Sequence, residues 1–243
     1  DGGTPFSRLM ARIWLEKLEG SARREFVMAV KDLEKFWAQS PHGLAAATAC
    51  SGTDIMRPVL DGIASELKQQ MGIKARVKFV AASEIDAGNR EFLRHQHSPQ
   101  MLCKCNEDLA RTRCVNAVSG EVELVPHFTI FGQGVVCKSA TPLSSCRSKN
   151  ENCVADGVAA TGQSFLECLA IVDTHWPTAV ALECVKELAR ETADEMAMDK
   201  SDALHMARKL EERGYWVLII DIEALEWGAP VRRRRSEEHT SEL

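Results

Sequence analysis

The sequence predicts an α/β fold: an open, mostly parallel sheet with helices on both faces. Three observations lead there. Short apolar runs of strand length alternate with longer segments whose apolar residues recur at helical spacing. The first run passes through a small-residue turn into a helix, the opening unit of a nucleotide-binding sheet. Acidic residues, Glu84 and Glu183, stand at the ends of two of the runs, where such sheets bind ligands. With 243 residues, 45% hydrophobic and 27% charged, the chain suits one large domain, or one domain with a small appendage.

Residues 1–40 are expected to form a helical N-terminal extension. Phe6, Leu9, Met10, Ile13 and Trp14 recur at helical spacing, as do Phe26, Val30, Leu33 and Trp37, with Gly20 and Ser21 between the two sets. Ser40-Pro41-His42-Gly43 stops the pattern. Residues 41–234 then carry the α/β domain. Leu44–Ala49 is the first strand, and Cys50-Ser51-Gly52-Thr53-Asp54 is its turn. Ile55–Gln70 is a helix, with Ile55, Val59, Ile63 and Leu67 four apart. The helix start offers free backbone N–H groups to a ligand.

Val77–Ala82 is the second strand and runs into Ser83-Glu84-Ile85-Asp86, where an acid is placed to grip ribose hydroxyls. Gly88–His95 reads as helix. A third unit ends at Asn106-Glu107-Asp108-Leu109 without a strong strand before it. Phe128–Phe131 is the fourth strand, leading through Gly132 and Gly134 to a polar loop that presents Cys137, then Lys138 and Ser139. A thiol on a loop beyond a strand is a common place for a nucleophile, although a free cysteine is more often a packing residue. Ser164–Val172 is helical, Thr178–Leu182 is a fifth strand ending at Glu183, Asp202–Arg213 is a helix stopped by Gly214, and Trp216–Ile220 is a sixth strand.

Composition removes several classes. No window of 18 apolar residues occurs, so no membrane span is expected. The opening residues lack the basic start and apolar core of a signal peptide. Nine cysteines, odd in number and without a CxxC pair, fit reduced thiols in an intracellular protein, nuclear if the source is eukaryotic. The one dense group, Cys103, Cys105 and Cys114 near His95 and His97, lacks the two well-spaced pairs of a zinc site, so no metal is predicted. A net charge of −5 neither requires nor forbids a nucleic-acid partner. No oligomer is predicted.

Six motifs, in order, resemble those of the C5-cytosine DNA methyltransferase family over residues 44–235. Cys50-Ser51-Gly52-Thr53 is similar to its S-adenosylmethionine turn, Glu84-Ile85 to its ribose-binding acid and neighbour, and Asp108-Leu109 to its adenine-contacting pair. Val136-Cys137-Lys138 resembles its catalytic loop, and Glu183-Cys184-Val185 its Glu-Asn-Val signature. Trp227-Gly228-Ala229-Pro230 followed by Val231, Arg233 and Arg235 resembles its arginine signature. Thr161-Gly162-Gln163-Ser164-Phe165 matches a further segment found in some branches. The chain departs from the family pattern at Asp54, Val136, Lys138, Cys184 and Val231.

The resemblance implies a Rossmann-like methyltransferase fold and S-adenosylmethionine as cofactor. It implies DNA, with its target cytosine flipped out of the stack, as substrate. It assigns Cys137 as the thiolate that adds to cytosine C6, with Glu183 stabilising protonation at N3. Arg233 and Arg235 would hold the base or orient Glu183. It assigns Cys50, Ser51, Gly52, Thr53, Glu84, Ile85, Asp108 and Leu109 to the cofactor. The resemblance leads to the expectation of a target-recognition region after the arginines, which residues 1–243 do not include. Arg235–Leu243 matches a translated sequencing adapter, so residues 235–243 are expected to be a disordered artefactual tail. The alternatives are a catalytically impaired relative that binds nucleic acid or S-adenosylmethionine, and a tRNA cytosine methyltransferase. A plain dehydrogenase is disfavoured because Gly132-Gln133-Gly134 is too short a fingerprint and follows the fourth strand rather than the first.

Overall fold

The computed structural model describes residues 44–52, 56–72, 77–136, 153–157, 159–189, 199 and 201–220. The expected N-terminal helices, Thr53, Cys137, the arginine run and the tail lie outside the described residues. Two compact units divide the chain, one reaching to Val135 and resuming at Glu167–Glu183, the other comprising Val136–Leu166 and the residues from Cys184.

The first unit is built on five strands: β1 (Leu44–Ala49), β2 (Val77–Ser83), β3 (Met101–Cys103), β6 (Ile130–Gly134) and β7 (Ala179–Glu183). They lie in the order β3-β2-β1-β6-β7, and every neighbouring pair is parallel. Helices α1 (Met56–Met71), α2 (Ala87–Gln96) and the single turn α3 (Asn106–Leu109) connect them, and α4 (Ala159–His175) ends in this unit. This is the α/β architecture of a Rossmann-like methyltransferase.

Successive residues of the central strands are buried, so both faces are covered and β1 reads as a nearly continuous run of small apolar residues. In β1, Ala45, Ala46, Ala47 and Ala49 are all buried. β2 pairs with it through a register shift between Ala46 and Ala47 that leaves Val80 as the extra residue. Aromatic rings pack below β6: Phe128 lies 6.0 Å from Phe131 and 4.9 Å from the ring of His175. His175 Nε2 is 2.8 Å from the Leu109 carbonyl. A carbonyl only accepts, so Nε2 carries the proton, and burial holds the imidazole's pKa below its ordinary value.

Two expectations change. The third unit has a strand after all: β3 is three residues long and pairs with β2 through Met101, Leu102 and Cys103. Its brevity hides its period. The sixth strand is not formed: Trp216–Ile220 has no strand structure, and Trp216 and Leu218 are largely exposed. An apolar β-prone run becomes a strand only where an edge pairs with its backbone, and no described strand pairs with this one.

A hairpin that the sequence reading lacked, β4 (Arg113–Val115) with β5 (Val122–Leu124), follows α3. Buried Asn116 anchors it. Its amide donates to the Gln100 carbonyl and to Glu123, and its oxygen accepts from the N–H groups of Leu102 and Val118.

In the second unit, α5 (Asp202–Glu211) starts at Ser201, whose hydroxyl accepts the Leu204 N–H at 3.2 Å. Asp202 is buried and accepts the N–H groups of Val154 at 3.1 Å and Ala155 at 3.2 Å. Its other oxygen takes the Cys153 thiol at 3.4 Å.

Candidate functional site

The first unit's strands all end on one edge, and loops after parallel strands carry the ligand groups of such sheets. From β1 the chain builds outward to β2 and β3, then reverses to place β6 on the other side of β1. The β1–β6 boundary is therefore the topological switch point, where the crevice of a doubly wound sheet opens.

The turn after β1 is tightly bent. Cys50 and Gly52 both have left-handed backbones, with φ of 50° and 51°. For Cys50 that is a strained state that surrounding bonds must hold. Ser51 supplies two of them, donating both its N–H and its hydroxyl to the Ser83 carbonyl at 3.2 Å. Thr48 and Ser51 hydroxyls lie 2.8 Å apart. Among the described residues, a Cβ built at Gly52 would meet nothing within 4 Å, so they leave the space above the turn open.

Glu84 closes onto this turn from β2. It is 7% exposed, and its carboxylate accepts the Gly52 N–H at 2.6 Å and the Asp86 N–H at 2.9 Å. Arg90 fixes the segment by donating to the Glu84 and Ile85 carbonyls at 2.9 and 2.6 Å. Ile85 points outward, 82% exposed. Asp86 serves the fold instead, capping α2 by accepting the Asn89 N–H at 2.8 Å.

Beyond β3, the Asp108 carboxylate is partly exposed and lies 3.5 Å from Arg111. Leu109 is fully buried. Asn106, two positions before Asp108, is a site residue that nothing in the sequence marks out. It is buried, accepts the Ser83 hydroxyl at 2.6 Å, and donates to the Cys50 sulfur at 3.2 Å and to Glu167 at 2.8 Å. A polar residue beside acids in a short turn has no periodicity to announce this.

Across the switch point, Gly134 ends β6. A Cβ there would stand 3.7 Å from the Cys50 carbonyl and 3.8 Å from a Glu183 carboxylate oxygen. Val135 N–H then donates to the Glu183 carbonyl at 2.8 Å. The turn after β1, the Glu183 carboxylate and the strand leading to Cys137 thus meet around one glycine, and Glu183 itself is exposed.

In the second unit, the Val136 N–H, immediately before Cys137, donates to Ser164 Oγ at 3.3 Å. Ser164 is buried on α4, and Gly162 two residues earlier packs against the Cys153 carbonyl so closely that no Cβ would fit. The Thr161–Phe165 segment therefore adjoins the entry to the cysteine loop.

The cysteine group near β3 is a thiol pair. Cys103 and Cys114 are buried with sulfurs 3.2 Å apart, and burial raises the pKa of both. Buried thiols of this kind stay protonated and unreactive. His95 instead faces Glu91 at 2.7 Å. Among the described residues no three His, Cys, Asp or Glu side chains are grouped to hold a metal ion.

No family model matches the chain. Over 142 residues it is 26% identical to the DNA (cytosine-5-)-methyltransferase DMT5 of Cryptococcus neoformans var. grubii serotype A. The match covers 58% of this chain and 6% of that protein, so the chain spans a small fraction of the relative's length.

Proposed function

We propose that this chain is the catalytic part of a DNA cytosine-5 methyltransferase that uses S-adenosylmethionine. The observation that carries the reading is the meeting at Gly134 of the Cys50 turn, the Glu183 carboxylate and the strand that leads to Cys137. A methyl donor and a base held on the two sides of that point would be adjacent.

The residues at the edge fit the cofactor. Each Glu84 oxygen accepts one N–H and keeps a further lone pair for a ribose hydroxyl. Among the described residues the space over Gly52 is open, and exposed Ile85 offers an apolar face to a ring. Asp108 would accept from an adenine amine. Carboxylates at Glu84, Asp108 and Glu183 suit a cationic sulfonium. When bound, S-adenosylmethionine supplies the methyl group.

The chain's own residues would do the rest. The Cys137 thiolate adds to cytosine C6, which makes C5 nucleophilic, while Glu183 shares a proton with N3 to offset the charge that builds on the ring. After methylation a base removes the C5 proton. The Cys137–C6 bond then breaks, restoring the C5–C6 double bond and the thiolate. Arg233, with Arg235 if it belongs to the natural chain, would hold the base oxygen or Glu183 through paired N–H groups. Ser164, bonded to the Val136 N–H, would steady the loop.

The test is methyl transfer from labelled S-adenosylmethionine to DNA and to tRNA. Label appearing as 5-methylcytosine in DNA supports the reading. Label in tRNA alone overturns the DNA assignment. Binding of S-adenosylhomocysteine without transfer to either would identify a cofactor-binding relative.

A further inference from the structure

We infer that Asn106 is the positioning residue of the cofactor edge: its amide joins the ends of β1, β2 and β3 to Glu167 of α4 and holds the strained Cys50 turn in its ligand-binding shape. The inference rests on the reading of this edge as an S-adenosylmethionine site, and adds to it a residue pair outside every motif of the resemblance.

Asn106 is 6% exposed and spends both ends of its side chain on these elements. Its orientation is fixed by chemistry. A carboxylate has only acceptors, so the group 2.8 Å from Glu167 must be the NH2. That turns Oδ1 toward Ser83, whose hydroxyl donates to it at 2.6 Å. The same NH2 reaches the Cys50 sulfur at 3.2 Å. Cys50 is the non-glycine residue with φ of 50° that opens the turn, and Ser83 carries the carbonyl to which Ser51 is bonded twice. Asn106 thus grips the turn at Cys50 directly and at Ser51 through Ser83.

No other side chain of this size serves all these partners. Aspartate would keep the Ser83 bond, and the Cys50 thiol can donate to it in turn, but it would set a carboxylate against the Glu167 carboxylate. Leucine would leave Ser83 and Glu167 without this partner. The polarity is also reversible: aspartate at 106 facing glutamine at 167 restores a donor and an acceptor, now running the other way.

The experiment is calorimetric titration of S-adenosylhomocysteine into the full chain, with a thermal melt and amide exchange of the 50–52 segment for each variant. Asn106→Asp is expected to weaken binding about tenfold or more, as loss of a charge-assisted bond does, and to speed exchange at Ser51 and Gly52. The double variant Asn106→Asp, Glu167→Gln is expected to return to within about threefold of the parent. A residue that serves stability alone would lower the melting temperature without this reciprocal recovery of affinity. Parent-like binding by Asn106→Asp, or loss that Glu167→Gln does not recover, overturns the inference. If Asn106→Asp does not fold, the double variant decides: folded and binding supports the pairing, unfolded refutes it. Failure of the parent chain to bind S-adenosylhomocysteine would instead sink the functional reading, and this inference with it.

Discussion

Glu84 shows how a single carboxylate can brace the fold and still have acceptors to offer a ligand. It ties the end of β2 to the turn after β1 through Gly52 and still keeps acceptor capacity. Glutamine at this position keeps one acceptor oxygen and loses the charge. Glu84→Gln is therefore expected to weaken S-adenosylhomocysteine binding by about 1.5–3 kcal/mol, the range for bonds to charged groups, read by calorimetry. Asp202 shows the reverse balance. Burial raises its pKa, and bonds from Ala155, Cys153 and Val154 offset this only in part. A carboxyl whose folded pKa lies above its unfolded value stabilises fully below the unfolded value. That contribution is lost as pH rises through the folded one. Asp202→Asn keeps an acceptor for the Val154 and Ala155 N–H groups without a charge to bury. Its melting temperature near neutral pH should equal or exceed the parent's, and the advantage should vanish as pH falls toward about 4. Asp202→Ala leaves those groups without their acceptor and should cost about 1–3 kcal/mol.

At the scale of elements, α4 is the most informative. The sequence places a helix at Ser164–Val172 from its apolar stripe, and the structure extends it to Ala159–His175. Its first turns carry Gly162 against the Cys153 carbonyl and the Gly157 backbone, which are not the movable ends of side chains. Gly162→Ala must displace backbone, so a loss of about 1–3 kcal/mol is expected, as for overpacking in general, measured by denaturant unfolding. Ser164→Ala removes the acceptor of the Val136 N–H while leaving the helix intact. It should slow reaction at Cys137 with little change in cofactor affinity, a split that single-turnover kinetics resolves. Helix and strand periods revealed elements long enough to show them. The three-residue strands β3, β4 and β5 have no period to read, and Asn116, which anchors the hairpin by its side chain, looks in sequence like any turn residue.

For the whole molecule, the parallel order of the sheet was legible because buried strands of alanine and valine alternate with amphipathic helices. The candidate cofactor edge was legible in part. Cys50, Gly52 and Glu84 stand at strand ends, where chemistry is expected, and the structure joins Gly52 to Glu84 by a hydrogen bond. Asn106 and Glu167 were not legible, because their relation is one of space: they are 61 positions apart. The run Trp216–Ile220 was misread because composition reports the capacity to pair and not the presence of a neighbour.

The central claim concerns the thiol that follows Gly134 and Val136. DNA carrying 5-fluorocytosine in place of the target cytosine offers no C5 proton to remove, so attack at C6 followed by methyl transfer leaves the protein covalently bound. Incubation with such a duplex and S-adenosylmethionine is predicted to give a denaturant-resistant protein–DNA adduct that is lost in Cys137→Ala. Absence of the adduct from the intact protein, or an adduct of equal yield in Cys137→Ala, would contradict the account.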